Sequence, residues 1–336
     1  MAPTPSSLHP QQALFDPEAA AATTLPVCDH YAGVEARMRK SLELQAEMGP
    51  VFDVTLDNED GAPVGAEIEQ AHCIAELLCS DLNCFGRVGV RLLAVDHSKF
   101  EEVLAVLLSR ALAAGKLPAY LTCPKPRSLA DLQRAVAAID RQGGAGIPVH
   151  ALIETHGALA EVVAIAAHPR IESLSFGLMD FVSAHRGAIP RWAMSADGQF
   201  DHPLVVRAKL EIAAACHAHA KTPSHCVVTE FKDSAALRES AEKASRLLGF
   251  TRMWSIHPAQ IQPILDAFAP TVAEVDEAIA IIDAAQAAAW APIRHRDALH
   301  DRASYRFFWQ LLQRAARTSF PGGPQLPAEV RQRWFA

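Results

Sequence analysis

No two of the seven cysteines (Cys28, Cys73, Cys79, Cys84, Cys123, Cys216 and Cys226) have C-x-x-C spacing, and their number is odd. A disulfide framework is therefore not expected, and reduced, mostly core thiols in a cytoplasmic protein are. Lys and Arg form no run, and the net charge is −7, so the footprint of a nucleic-acid or polyanion binder is missing. No G-x-G-x-x-G turn follows the first candidate strand, which removes the usual mark of a dinucleotide fold. There is no G-x-S-x-G elbow and no cysteine beside a plausible base, so a Ser-His-Asp or Cys-His hydrolase has no support. The first twenty-five residues are rich in Ala, Pro and Ser, without a basic start and a long apolar stretch. They predict a loose arm rather than a signal peptide or membrane span.

What is present is enough apolar sequence for a large core: half of the 336 residues are hydrophobic. Strand-like runs fall at Thr24–Cys28, Val51–Leu56, Gly86–Leu93, Ala119–Cys123, Ile147–Ile153, Ile171–Phe176, His225–Thr229 and Met253–Ile256. Helical patterns lie between them, at Val34–Glu47, Ala66–Cys79, Lys99–Ala114, Ser128–Arg141, Ala158–Ala167, Val205–Ala220 and Ser234–Leu248. Ser128 with Asp131 and Thr271 with Glu274 have capping-box spacing. Eight strands alternating with helices predict a (β/α)8 barrel, an α/β fold, over residues 24–270. Residues 1–23 are the expected flexible arm. Residues 271–336, with helices at Val272–Ala289 and Ser304–Arg317, are the expected helical lid region.

Two apolar runs end on a carboxylate: Val149 to Glu154, and, twenty-six residues beyond that acid, Leu174 to Asp180. Strand, crossover helix and strand place both acids at the carboxyl ends of adjacent parallel strands, the edge on which α/β folds build their sites. Two carboxylates converging there repel unless a cation lies between them, and oxygen ligands suit Mg²⁺, with Mn²⁺ as the alternative. Asp57, Glu59 and Asp60 follow the second strand. Arg91 is a charge inside an apolar strand and must meet acids or clamp a substrate carboxylate. Lys125 between two prolines, and His257 followed by Pro258, also stand at strand ends. Cys216, His217, His219, His225 and Cys226 are dense in soft ligands but have no zinc spacing, with His225 and Cys226 expected to start a strand.

In these residues the chain resembles the citrate lyase β-subunit family, which includes malyl-CoA and citramalyl-CoA lyases. The matching segments are Leu56-Asp57-Asn58-Glu59-Asp60, Val90-Arg91, Pro124-Lys125, Ile153-Glu154-Thr155, Phe176-Gly177-Leu178-Met179-Asp180, Lys232-Asp233, Ile256 to Ile261 and Phe268-Ala269-Pro270. The resemblance runs over roughly residues 24 to 315. It implies a TIM barrel, Mg²⁺ held by Glu154 and Asp180, and Arg91 clamping an oxo-acid carboxylate. It also implies a trimer or hexamer in which a C-terminal lid brings an aspartate over the neighbouring site. Asp301 matches that aspartate, with Asp297 as runner-up. The implied reaction is a reversible cleavage of a 3-hydroxyacyl-CoA to acetyl-CoA and a 2-oxo acid. Asp57 and Glu59 join Arg91 and Asp301 as catalytic candidates, while Lys125, His257 and Pro258 are substrate-binding candidates. The chain departs from the family at its first strand, where Leu25-Pro26-Val27-Cys28-Asp29-His30-Tyr31-Ala32-Gly33 lacks the usual arginine. No lysine follows the acidic motif, and the lid lacks its glycine-rich approach. The alternatives are a class II aldolase on free 2-oxo acids and a non-catalytic, carrier-dependent citrate lyase component.

Overall fold

Eight short parallel strands close into a barrel in the order of the chain: β1 Cys28–Ala32, β2 Phe52–Asp57, β3 Val88–Arg91, β4 Leu121–Cys123, β5 Val149–Ile153, β6 Ile171–Phe176, β7 Thr222–His225 and β8 Arg252–Ser255. Helices follow the strands, so the expected (β/α)8 architecture is what the chain adopts. The structure, a computed structural model, describes residues 8–16, 25–319 and 326–335. Contacts divide it into two compact units, one of residues 24–267 and one of the described residues before and after these. Among the described residues no helix is long and apolar enough to cross a membrane.

Branched aliphatic side chains ordinarily fill the inside of such a barrel. Here much of it is polar. Arg252 of β8, fully buried, reaches Asp29 of β1 at 3.0 Å and Asp53 of β2 at 2.6 Å, and donates to the Pro26 carbonyl at 2.8 Å. Arg87 holds the other Asp53 oxygen at 2.6 Å. Thr55 and Tyr120 both donate to Asp29, at 2.7 and 3.0 Å. The Tyr120 ring stacks on His150 with centroids 3.9 Å apart. It fits because β3 carries Gly89 there, where a Cβ would lie 2.1 Å from the ring. Each of the two acids meets Arg252, and Asp53 also the part-exposed Arg87, which is what allows three buried charges to lie inside.

That polar filling explains two displaced strands. An apolar run marks a buried strand only when the buried partners are apolar. β1 was expected over Thr24–Cys28 but starts at Cys28, because its buried residues include the polar Asp29, which faces the barrel interior, and His30, which lies on the opposite face. β7 was expected over His225–Thr229 but spans Thr222–His225, so His225 ends the strand instead of starting it. The helix expected over Ala158–Ala167 is two, His156–Ala160 and Val162–Ala167, broken at Glu161.

The second unit has its own core, in which Trp290, Tyr305 and Trp309 pack with Ile281, Ile282 and Leu312. Residues 8–16 are not a loose arm. A short helix, Pro10–Leu14, puts Leu14 into that core, and Trp309 donates to Gln11 at 2.7 Å. The rest of the expected arm lies outside the described residues. Before the long helix Arg302–Thr318 comes an unexpected antiparallel hairpin, β9 Ile293–His295 and β10 Ala298–His300.

Losing Arg252 leaves Asp29 buried without its cation. Arg252→Met is expected to lower unfolding free energy by about 3–5 kcal/mol, read as a lower urea midpoint. A change below 1 kcal/mol would show the network to be dispensable. Lys209, on the helix Pro203–Ala218, is also fully buried, with its amine 2.8 Å from Gln199 Oε1 and over the Phe200 ring. Burial pushes its pKa down to about 8. Folding then disfavours the ammonium: the penalty is complete below about pH 8 and fades as pH rises toward the unfolded value of about 10.4. Lys209→Met should exceed the wild type in stability at pH 7, and the gap should narrow between pH 8 and 10. A gap independent of pH would contradict this.

Candidate active site

The carboxyl ends of β2, β3 and β5, with the loops after β4 and β6, bring five carboxylates and two cations into one contact network. Asp57 ends β2 and is in register with Arg91, which ends β3. Its carboxylate accepts from Arg91 Nε at 2.7 Å and from Nη2, and also from the backbone N–H groups of Glu59 and Gly61 at 2.9 and 2.8 Å. Both oxygens of Asp57, a candidate catalytic acid, are engaged in holding the Arg91 fork and shaping the following loop. Glu59 lies 3.3 Å from Arg91 Nη1 and 2.6 Å from Lys125 Nζ. It too is paired within the network.

Lys125 joins the two halves of the cluster. It has a left-handed backbone, φ 50°, between Pro124 and Pro126. Its N–H donates to Glu154 Oε1 at 2.7 Å. Its amine reaches Glu59, Asp60 at 2.8 Å and, more distantly, Asp180 at 3.7 Å. Burial lowers its basicity, but the acids more than compensate and hold its pKa above the usual lysine range.

Glu154, one residue past β5, is 3% exposed. Burial, and then the charge of Asp180, push its pKa up to about 8. Gly177, just after β6, leaves room for it: a Cβ there would lie 2.1 Å from Glu154 Oε2. Asp180 stands in the first turn of the helix Leu178–Ser183, with its side chain 41% exposed. Thr155 ties the β5 loop to the β4 loop by donating to the Pro126 carbonyl at 2.6 Å. The pair predicted from the ends of β5 and β6 is therefore brought into one charged neighbourhood. Among the described residues no group of three or more His, Cys, Asp and Glu is arranged to hold a metal ion. Two carboxylates are the complement that Mg²⁺ commonly takes from a protein, with waters and substrate oxygens supplying the rest.

His257 and Pro258 open the turn after β8. His257 Nδ1 accepts from the Ala259 N–H at 3.2 Å, and its ring stacks on Phe231. This histidine caps a turn and keeps an exposed face. Asp301 and Asp297 lie in the second unit. Asp301 caps the helix Arg302–Thr318, accepting from Ala303 and Ser304, and Asp297, 97% exposed, pairs with Arg294 across the hairpin turn.

Sequence reasoning missed Tyr31, Trp254 and the Arg252 network. Tyr31 has the Arg91 guanidinium over its ring at 5.5 Å and stacks on Trp254. Arg252 gave the same signal as Arg91, a charge beside an apolar run, but the strand had been placed one residue too late to include it. Asn58 was quoted only as part of a motif. It is buried, and neither of its amide atoms has a partner.

No family model matches the chain. It is 30% identical to the L-malyl-CoA/β-methylmalyl-CoA lyase of Cereibacter sphaeroides (strain ATCC 17025 / ATH 2.4.3) over 237 residues, 65% of this chain and 73% of that protein. A solved citrate lyase from Burkholderia xenovorans LB400 is 52% identical, with a TM-score of 0.82, over 96% of this chain and 98% of the other. CitE of Mycobacterium tuberculosis, solved with magnesium, acetoacetate and coenzyme A, has the same fold at 20% identity and a TM-score of 0.67, over 87% and 99% of the two chains. By identity and by coverage, the chain belongs to the family of malyl-CoA lyases and citrate lyase β-subunit-like proteins, which are carbon–carbon lyases.

Proposed function

We propose that the protein is a Mg²⁺-dependent lyase that reversibly splits a 3-hydroxyacyl-CoA of the citramalyl-CoA or malyl-CoA type into acetyl-CoA and a 2-oxo acid. The observation that carries this is the contact network of five carboxylates around two cations, with Glu154 desolvated and lacking a charge partner of its own. A hard divalent cation held by Glu154 and Asp180 relieves that imbalance, with Mn²⁺ as a substitute. When bound, it supplies Lewis acidity to the carboxylate and hydroxyl oxygens of a 2-hydroxy acid unit.

The remaining work falls to side chains. Asp57 holds Arg91 by Nε and Nη2 and Glu59 stands against Nη1, and the guanidinium N–H groups that these two acids do not take orient the substrate carboxylate. Glu59 and Asp60 keep Lys125 charged at the mouth, and Lys125, His257 and Pro258 border the path of the thioester arm. In cleavage the substrate hydroxyl loses its proton and becomes the oxo group. The carbon–carbon bond breaks with its electron pair passing to the thioester as an enolate, and the α-carbon takes up one proton, so that none is gained or lost overall. Asp301, on the second unit of a neighbouring copy in a trimer or hexamer, is the acid assigned to that step. The relatives' names support the thioester. One observation favours a class II aldolase acting on free 2-oxo acids: the segment Leu25–Gly33 around the first strand lacks the family's arginine. Calorimetric titration with coenzyme A separates the two, since an aldolase of that kind would not bind it.

With Mg²⁺, the purified enzyme should release pyruvate or glyoxylate from citramalyl-CoA or malyl-CoA, detected with lactate dehydrogenase or phenylhydrazine. A panel without turnover would defeat the lyase assignment. Glu154→Gln should abolish calorimetric Mg²⁺ binding and lower kcat by about 100-fold or more, and retained metal binding would move the ligand elsewhere. Gly177→Ala tests the cradle without touching a ligand. The new methyl displaces the Glu154 carboxylate and should weaken Mg²⁺ binding by about 10- to 100-fold; an unchanged Kd would show that Glu154 is not held there.

A further inference from the structure

Beside the charged network lies a mostly apolar layer, in which the Tyr31 hydroxyl and the Trp254 indole N–H are buried without a hydrogen-bond partner among the described residues. Tyr31 of β1 and Trp254 of β8 stack with centroids 4.3 Å apart and planes 29° apart. Leu152 of β5 completes the layer, with Val227 packed against it. All three barrel residues are at least nine-tenths buried. The layer adjoins both halves of the site. The Arg91 guanidinium lies over the Tyr31 ring at 5.5 Å, and Leu152 stands two residues before Glu154, on the same face of the chain.

We infer that the Tyr31–Trp254–Leu152 layer is the wall that sizes the 2-oxo acid, admitting hydrogen or methyl on the carbonyl carbon and excluding longer chains. The inference rests on the lyase reading and names its substrate class more narrowly. The carbonyl carbon of a 2-oxo acid bears an oxo oxygen, a carboxylate and a side chain. Arg91 and the cation-seeking pair Glu154 and Asp180 answer the two oxygen groups. The side chain carries no charge, and the layer is the apolar surface that touches Arg91. Nor can the layer yield easily. Two stacked rings against a buried leucine are close-packed, and close-packed interiors resist an added methylene. One methylene in an apolar pocket changes selectivity by about 10- to 200-fold, so this wall alone can separate pyruvate from 2-oxobutyrate.

The test is calorimetric binding of glyoxylate, pyruvate, 2-oxobutyrate and 2-oxovalerate to the full chain with Mg²⁺. Wild-type Kd is expected to weaken by about tenfold or more at the step past pyruvate. Trp254→Ala should restore most of the loss for the longer acids, and Leu152→Ala serves the same purpose should the tryptophan variant fail to fold. A wild type that binds all four acids within threefold of one another overturns the wall, as do folded variants that keep the wild-type ratios. The lyase reading fails separately: a clear size ladder with no thioester cleaved would sink the lyase and leave the wall standing.

Discussion

A guanidinium from β8 meets carboxylates from β1 and β2 inside the barrel, and that meeting sets where every strand end can lie. Arg252 is satisfied in one register only. A slip of one residue would turn Asp29 or Asp53 onto the opposite face and leave charges unpaired in the interior. The same phase runs upward along each strand. Asp53, Thr55 and Asp57 share one face of β2, Asp29 and Tyr31 one face of β1, and Arg252 and Trp254 one face of β8. Whatever locks the lower layer therefore aims the upper one. An aliphatic layer would tolerate small slips that this ionic layer does not, so the polar filling exchanges some stability for a defined mouth.

At that mouth the balance of charge is reversed. Below, each acid has an arginine; above, five carboxylates share Arg91 and Lys125. The excess falls on a buried acid. Among the described residues Glu154 receives one backbone N–H and no ion pair, which is why burial and Asp180 dominate its titration. A folding argument alone gives no reason to retain such a group, since a buried unpaired carboxyl destabilises. A binding argument does, because a divalent cation turns the same arrangement into a favourable one.

The barrel and its two key acids were legible because they obeyed simple patterns. β5 and β6 are apolar runs, and Glu154 and Asp180 follow their ends closely. β1 and β7 were misplaced because their runs do not stay apolar: the buried residues there include Asp29, His30, Ser224 and His225. The β9–β10 hairpin was not read as strands because its turn has no glycine; Arg296 takes the left-handed position at φ 53°. The pairing of Asp57 with Arg91 was half legible. The buried charge in β3 demanded an acid, but which of three neighbouring acids would hold it depends on strand register, and register is fixed across the barrel rather than along the chain.

Lys125 shows how loop geometry converts this frame into a site. A left-handed backbone at a residue with a side chain, immediately before proline, costs on the order of 1–3 kcal/mol and persists only where the surroundings over-determine it. They do so here from both directions. The N–H is fixed on Glu154, the amine on Glu59 and Asp60, and the Pro126 carbonyl accepts from Thr155. Relaxing the backbone to an ordinary conformation would swing the N–H away from Glu154 and remove the one hydrogen bond that orients that carboxylate. The strain at residue 125 is thus coupled to the orientation of the acid at 154, while the amine on the same residue reaches toward Asp180. A single lysine between two prolines sets the backbone contact of one proposed ligand and the electrostatic surroundings of the other.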